Sequence, residues 1–297
     1  MKVLEINNIH KSYGATKALN GISFSVPKGS IFGILGPNGS GKTTLLSIIL
    51  DVLKANSGTF NWFSEASSEV QRQCIGTLLE TPNFYHYLSA TNNLEITRQI
   101  SGRGKKGEID IALQKVKLFD RRNSKFSTYS LGMKQRLAIG AALLGSPSIL
   151  VLDEPTNGLD PVGIAEIREL ILELNAKGHT IIVASHLLDE VEKICTHVAI
   201  MKFGKLLTCG PVAEVMSNDD LVELGAENSE VLLFVMGKYL GVLNIRTEKN
   251  LVVIGLPKGA ADLEEINSFC FNSGIVLNHL YVRKQKLETR FFELTQN

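Results

Sequence analysis

The chain has few cysteines, and none are spaced for a metal or redox centre. Its four cysteines, Cys74, Cys195, Cys209 and Cys270, lie far apart, without the C-x-x-C spacing of zinc sites and thiol redox pairs. We therefore expect reduced thiols in a cytosol rather than a disulfide framework.

Long hydrophobic runs are also missing. The longest uncharged run, residues 137–152, contains Pro147 between two serines and is too short and too interrupted to cross a membrane. Residues 1–7 carry charged and polar side chains too early for a signal peptide. We therefore expect neither export nor a membrane span, and any work at a membrane requires a membrane-embedded partner.

A strong charge of either sign is absent. The 31 basic and 30 acidic side chains leave a formal net charge of +1, which does not favour binding to nucleic acid. The hydrophobic content of 44% is ordinary for a globular protein. A length of 297 residues allows one large domain with a small one, or two of ordinary size.

Residues 36–44, GPNGSGKTT, fit the phosphate-binding pattern G-x-x-x-x-G-K-[ST]. The apolar residues 30–35 ahead of them predict a buried strand, and residues 43–53 predict a helix. A glycine-rich surface turn is the competing interpretation, and this strand-loop-helix context disfavours it. Such a loop directs backbone N–H groups at phosphate, with Lys42 reaching the β- and γ-phosphates and Thr43 holding Mg²⁺. The predicted phosphate-loop residues are Gly36, Pro37, Asn38, Gly39, Ser40, Gly41, Lys42, Thr43 and Thr44.

Two carboxylates and a histidine follow apolar strands elsewhere in the chain. Asp153 and Glu154 follow residues 149–152, and His186 follows the strand predicted at residues 180–184. Parallel sheets place ligands at the carboxyl ends of their strands. We expect Asp153 to support Mg²⁺, Glu154 to polarise the attacking water and His186 to sense the γ-phosphate. A solvated strand end and a packing histidine are the alternatives, and neither explains the coincidence with a phosphate loop.

Tyr13 lies upstream of the phosphate loop, between strands predicted at residues 3–6 and 22–26 and within a turn predicted at residues 11–14. Its ring could stack on an adenine. Taken alone, such a tyrosine is more often an edge-strand packing residue. The motifs above favour the adenine contact.

Apolar spacing predicts a mainly helical insert at about residues 88–145, broken by the glycine-rich, basic residues 102–107. Beyond residue 215 no further motif occurs. There we predict a linker or irregular helix at residues 217–229, strands at residues 231–236, 251–256 and 275–282, and helices at residues 262–272 and 287–294. Residues 216–297 are thus predicted to form a small α+β accessory domain.

Six stretches, in order, resemble the nucleotide-binding subunit of ATP-binding cassette (ABC) transporters over residues 1 to about 215. The resemblance implies an α/β P-loop NTPase cassette with a mixed sheet core, an antiparallel β subdomain and a helical insert. It implies Tyr13 as the adenine-stacking residue, residues 36–44 as Walker A, Ser130 and Gly132 in the signature, Asp153 with Glu154 as Walker B and catalytic base, residues 158–160 as the D-loop, and His186 as the switch histidine.

The chain departs from the family pattern at two places. The usual signature LSGGQ is replaced by YSLGM at residues 129–133, so Leu131 puts a side chain where backbone should approach phosphate. Glu80 stands where these subunits usually carry a glutamine that touches Mg²⁺, unless Gln71 or Gln73 takes that part. A carboxylate there could strengthen metal ligation or slow hydrolysis. Both departures resemble the exporter branch with bacitracin-resistance and lantibiotic-immunity transporters.

The resemblance implies an ATP-binding and ATP-hydrolysing exporter subunit that uses ATP and Mg²⁺. Catalysis is expected from Glu154, His186 and Lys42, with a metal site at Thr43, Asp153 and Glu80. The expected partners are a second copy, joined head to tail around two ATP, and a membrane permease contacted near residues 80–87 at the cytoplasmic face of the membrane. An ATPase acting on nucleic acid or ribosomes is the first alternative, and a catalytically weakened regulatory module is the second.

Overall fold

The computed structural model describes residues 1–63, 69–79, 83–216 and 219–283. It divides into two compact units, Met1–Val212 and Ala213–Asn297. None of the helices within the described ranges is long and apolar enough to span a membrane.

The first unit contains two sheets and a group of helices. Its strands are β1 Lys2–Tyr13, β2 Thr16–Pro27, β3 Ile31–Leu35, β4 Ser57–Trp62, β5 Ile75–Leu78, β6 Ile149–Asp153, β7 Thr180–Ser185, β8 His197–Lys202 and β9 Lys205–Pro211. Its helices are α1 Lys42–Ile49, α2 Glu69–Gln73, α3 Ala90–Ser101, α4 Glu108–Lys115, α5 Leu131–Ala142, α6 Pro161–Ala176 and α7 Leu188–Ile194; α8 Val212–Met216 runs across the boundary between the units. Short 3-10 turns lie at Phe119–Arg121 and Phe126–Thr128.

The six-stranded sheet positions the site. Its order is β5-β6-β7-β3-β8-β9, with all neighbours parallel except β9, which pairs antiparallel with β8. Every residue of β3, β6 and β7 is buried, as expected of parallel strands covered on both faces. Leu35 pairs with Ser185 and Asp153 with Ala184, so these three strands end at the same sheet edge.

The second sheet is antiparallel, in the order β2-β1-β4. Its apolar face and α1 share one core with the central sheet, containing Ile6, Ile22, Leu45 and Trp62. The predicted turn at residues 11–14 is wrong in extent, because β1 continues to Tyr13 and pairs with Thr16 of β2. Register shifts within this pair interrupt the alternation of buried and exposed residues, so the sequence pattern does not show the full length of the two strands.

Helix α1 ends at Ile49, earlier than the predicted residue 53. Asp51 has a left-handed backbone with φ of +60°, and the N–H groups of Val52 and Leu53 both donate to the carbonyl of Ser47. The helix therefore ends in a turn after Ile49, although the apolar pattern of the sequence continues to residue 53.

The predicted helical insert contains α3, α4 and α5. Ser89 caps α3 by accepting from the N–H of Asn92, and Gly102 ends that helix in a left-handed conformation with φ of +64°. The predicted break at residues 102–107 therefore lies between α3 and α4.

The second unit is α+β. Its elements are β10 Asp219–Ala226, α9 Ser229–Met236, β11 Asn244–Glu248, β12 Leu251–Pro257, α10 Leu263–Asn272 and β13 Leu277–Arg283. The antiparallel sheet has the order β11-β12-β10-β13, and α9 and α10 pack with it around Val222, Ile254, Leu232 and Ile266.

Two predictions for this unit are wrong. Residues 231–236, predicted as a strand, lie in α9, because the Asn228 side chain accepts from the N–H groups of Glu230 and Val231 and starts a helix. A short apolar run does not distinguish a buried strand from a helix. Residues 219–226, predicted within a linker or irregular helix, form β10, whose Val222 and Leu224 face the core. The helix predicted at residues 287–294 lies outside the described residues.

Candidate active site

The phosphate loop connects β3 to α1, and three of its glycines are required by its shape. A Cβ on Gly36 would lie 2.4 Å from the carbonyl oxygen of Met201, and one on Gly41 would lie 2.5 Å from that of Ala18. Gly39 has open space around it but a left-handed φ of +80°. The loop is therefore a tight turn that packs closely against neighbouring backbone, and a side chain at these positions would clash or strain it.

Lys42 lies at the centre of the loop and is only 5% exposed. Its Nζ donates to the carbonyl oxygens of Gly36 at 2.8 Å and Pro37 at 3.3 Å, and lies 3.5 Å from Oε1 of Glu154. The buried Oγ of Ser40 has no hydrogen-bond partner within the described part of the chain. The loop thus holds a buried ammonium group and an unsatisfied hydroxyl where a ligand phosphate is predicted.

Glu154 connects the phosphate loop to the histidine predicted nearby. Its φ of +46° is a strained conformation for a non-glycine residue, and its N–H donates to the carbonyl of Ala184 at 2.9 Å. Nδ1 of His186 lies 2.8 Å from Oε2 of Glu154, a hydrogen bond that the Nδ1–H form of the ring donates. The structure therefore brings Lys42, Glu154 and His186 together.

Thr43 and Asp153 present oxygen atoms next to the loop. Thr43 Oγ1 donates to Asp153 Oδ2 at 2.8 Å, and Asp153 is 4% exposed. No group of three or more His, Cys, Asp or Glu side chains within the described ranges could hold a metal. A hydroxyl and one carboxylate fit Mg²⁺, which usually binds through one or two carboxylates together with substrate phosphates.

A cavity of about 460 Å³ opens over the loop. Its lining includes Tyr13, which lies at the end of β1 and is 52% exposed. Four lining residues were not predicted from the sequence: Thr16, Lys17 and Ala18, which follow Tyr13 closely at the start of β2, and Phe203. The lining consists of Tyr13, Thr16, Lys17, Ala18, Asn38, Gly39, Gly41, Lys42, Thr43, Thr44, Glu154 and Phe203.

The signature residues lie outside this cavity lining, as far as the structure describes it. Ser130 caps α5, with its Oγ accepting from the N–H of Met133 at 3.2 Å. Leu131 is 48% exposed, and its Cδ2 lies 3.3 Å from the position of a Cβ on Gly158. The cavity lining thus includes phosphate-loop residues, Tyr13 and Glu154, but neither Ser130 nor Gly132.

Glu80, predicted as a metal ligand, lies outside the described residues. The alternatives Gln71 and Gln73 lie in α2, ahead of β5. Gln71 is 8% exposed.

The phosphate loop, the acidic strand end and the histidine at one sheet edge define a P-loop nucleotide-hydrolysing domain. The sequence matches the ABC transporter family over residues 19–157. It is 33% identical over 297 residues to the bacitracin transport ATP-binding protein BcrA of Enterococcus faecalis, covering 98% of this chain and 96% of that protein. It is 38% identical over 205 residues to the lantibiotic transport ATP-binding protein SrtF of Streptococcus pyogenes, covering 69% of this chain and 89% of that protein.

Solved structures give the same assignment. The ADP conformation of MJ1267, an ATP-binding cassette of an ABC transporter, matches with a TM-score of 0.66 and 30% identity, covering 72% of this chain and 92% of that one. CbiO1 from Clostridium perfringens, part of the ABC transporter complex cbiONQ, matches with a TM-score of 0.65 and 31% identity, covering 72% and 90%.

The chain belongs to the ATP-binding subunits of ABC transporters. It is therefore an ATP-binding protein and an ATPase, and the predicted α/β cassette fold is confirmed. The predicted resemblance to bacitracin and lantibiotic transport ATPases is confirmed as well. BcrA and SrtF are transport ATP-binding proteins, which gives no support to an ATPase acting on nucleic acid or ribosomes.

Proposed function

We propose that this ATPase powers a separate membrane permease that exports an antimicrobial peptide or a related drug. The observation that carries the proposal is the match to a bacitracin transport protein over 98% of the chain, which includes the second unit as well as the cassette. The chain would then act at the cytoplasmic face of the membrane, held there by the permease.

In this proposal the cavity over the phosphate loop binds ATP. The loop N–H groups and Lys42 bind the phosphates, and Tyr13 stacks on the adenine. Thr43 and Asp153 would hold Mg²⁺, which would supply positive charge beside the phosphates. Glu80 stays a predicted additional ligand.

Glu154 polarises the attacking water, and His186 holds the Glu154 carboxylate from its other side. The 3.5 Å ion pair between Lys42 and Glu154 has a consequence for binding, because Lys42 cannot serve the carboxylate and the phosphates equally. We infer that the phosphates of bound ATP replace Glu154 as the ionic partner of Lys42. Glu154 then contacts the attacking water and His186.

A second copy would complete each site. Ser130 and Gly132 lie outside the cavity lining. They lie at the N-terminus of α5, where backbone N–H groups and the helix dipole favour binding of a phosphate. Two copies that meet head to tail would place the signature of each over the ATP of the other, giving two sites per dimer. Hydrolysis would reopen the dimer.

The permease would dock beside α3. Asn83, Phe84 and Tyr85 line a groove of about 290 Å³ together with α3 residues, among them Ile96 and Ile100. The rings of Tyr85 and Tyr87 meet at a centroid distance of 6.0 Å and are 49% and 68% exposed. Exposed aromatic side chains beside a groove are typical of protein interfaces.

The test is to purify the tagged chain from native membranes in mild detergent and identify its partners by mass spectrometry. We expect a polytopic protein without its own cassette, whose deletion sensitises cells to bacitracin-like or lantibiotic-like peptides. The paired variants Tyr85→Ala and Tyr87→Ala should lose this partner, whereas Tyr281→Ala, an equally exposed tyrosine of the second unit at 55%, should keep it. Recovery of the chain alone or with ribosomes would overturn the proposal.

A further inference from the structure

We propose that Phe203 is a second aromatic contact for the adenine of bound ATP, beside Tyr13. The inference rests on the assignment above of this cavity to ATP. It adds a residue that determines base affinity, in the two-residue turn between β8 and β9.

Phe203 and Tyr13 line the same cavity as the phosphate loop. Phe203 is 76% exposed and Tyr13 52%, so neither ring is held in the protein core. Each ring has a lysine ammonium over it, Lys202 at 5.2 Å from the Phe203 centroid and Lys11 at 5.5 Å from that of Tyr13. A cation on one face of an aromatic ring leaves the other face available for a base.

The backbone next to Phe203 is bonded directly to the phosphate loop. The N–H of Gly204 donates to the carbonyl of Ser40 at 3.0 Å, and the N–H of Asn20 donates to the carbonyl of Gly204 at 2.7 Å. A Cβ on Gly204 would lie 2.6 Å from the carbonyl oxygen of Ala18, so only glycine fits there. The turn that carries Phe203 is therefore fixed relative to the phosphate loop, as a base contact requires.

Local turn chemistry does not explain a phenylalanine at this position. Phe203 and Gly204 are the two residues between β8 and β9, and both have a left-handed backbone, with φ of +49° and +72°. Such two-residue hairpin turns favour Asn-Gly or Asp-Gly, and a bulky side chain at the first position is strained. An exposed ring on a strained, left-handed backbone gains little packing, and such a ring points to a ligand contact.

Phe203→Asn is the decisive variant, because it improves the turn while it removes the ring. We expect an unchanged or higher unfolding midpoint, together with ATP and ADP affinities weakened about 5- to 30-fold, the lower part of the range for loss of one base-aromatic stack. Inorganic tripolyphosphate, which has no base, should bind the variant and the wild type equally. A purely structural role for Phe203 would move stability and affinity in the same direction.

Phe203→Trp keeps an aromatic face and adds a reporter, because the sole tryptophan of the chain, Trp62, is 1% exposed. We expect near wild-type ATP affinity, and an emission change on adding ATP that tripolyphosphate does not produce. The matched control is Phe234→Ala in the second unit, where an exposed ring, 67% accessible, also lies under a lysine, Lys238 at 4.2 Å. This control should leave ATP affinity unchanged.

The inference is overturned if Phe203→Asn binds ATP as tightly as the wild type, or if it weakens ATP and tripolyphosphate equally. If instead the site assignment fails, ATP and tripolyphosphate would not compete for binding to the wild type. Lys42→Ala would then leave the affinities for ATP and for tripolyphosphate unchanged.

Discussion

Replacing Glu154 with glutamine separates the two roles that its position implies. The substitution removes one negative charge while it preserves an oxygen that can accept from His186, 2.8 Å away in the wild type. It also removes the ion pair between Glu154 and Lys42. We therefore expect hydrolysis to fall while ATP binding tightens.

The magnitudes follow from the geometry. Two unit charges 3.5 Å apart attract by about 5 kcal/mol at an effective dielectric constant of 20 and by about 1 kcal/mol in water. Because the Glu154 side chain is 20% exposed, we take a value near the lower end, about 1 to 2 kcal/mol, which tightens ATP binding about 5- to 30-fold. Loss of a group that polarises the attacking water should lower kcat by about 10² to 10⁴.

The assay measures phosphate release at saturating ATP and Mg²⁺, and Kd for ATP by calorimetry. Glu190→Gln is the matched control, because Glu190 is similarly buried at 15% exposure and pairs with Arg168 and Lys193. That variant should keep both quantities near the wild-type values. A Glu154→Gln protein that hydrolyses ATP within threefold of the wild type, or that binds ATP more weakly, would refute the reasoning.

Three further predictions concern the loop, the core and a buried thiol. Lys42→Ala should lower ATP affinity by about 10² or more, because a buried charge-assisted contact to phosphate is lost; unchanged ATPase activity would exclude the site. Gly76→Ala should destabilise the first unit by about 3 kcal/mol in urea unfolding, since its Cβ would lie 2.1 Å from the carbonyl oxygen of Ala142, whereas Gly107→Ala meets nothing within 4 Å and should be neutral. Burial raises the pKa of Cys195 from 9.0 to about 12. Because only the unfolded chain then loses this proton between pH 9 and pH 12, stability falls as pH rises there, and between pH 8 and pH 10 the wild type should lose about 1 kcal/mol more than Cys195→Ala.

The sequence predicts the central sheet, and the sheet edge at which Glu154 and His186 lie, for a physical reason. Strands such as residues 149–153 and 180–185 are buried on both faces, so their apolar runs are continuous, and chemistry-bearing residues follow them directly. The phosphate loop carries its own glycine requirements, which the contacts of Gly36 and Gly41 confirm. Local pattern and tertiary arrangement agree in this part of the chain.

The rest depends on contacts that the sequence does not display. Residues 231–236 are as apolar as a strand, and a hydrogen-bonded cap at Asn228 makes them a helix. The role proposed for Phe203 depends on a turn bonded to Ser40, more than 160 positions earlier in the sequence. Lys17 enters the cavity only because β1 and β2 form a hairpin longer than their apolar pattern suggests.

The measurement that tests the account most directly mixes two inactive variants. Lys42→Ala disables the phosphate loop of one copy, and Ser130→Arg blocks the signature of the other, so each protein alone should hydrolyse almost no ATP. A site shared between copies predicts that mixing them restores magnesium-dependent ATPase activity, because one mixed site then combines an intact loop with an intact signature. If the mixture stays as inactive as its components while each variant remains folded, the two copies do not share the site and the account is contradicted.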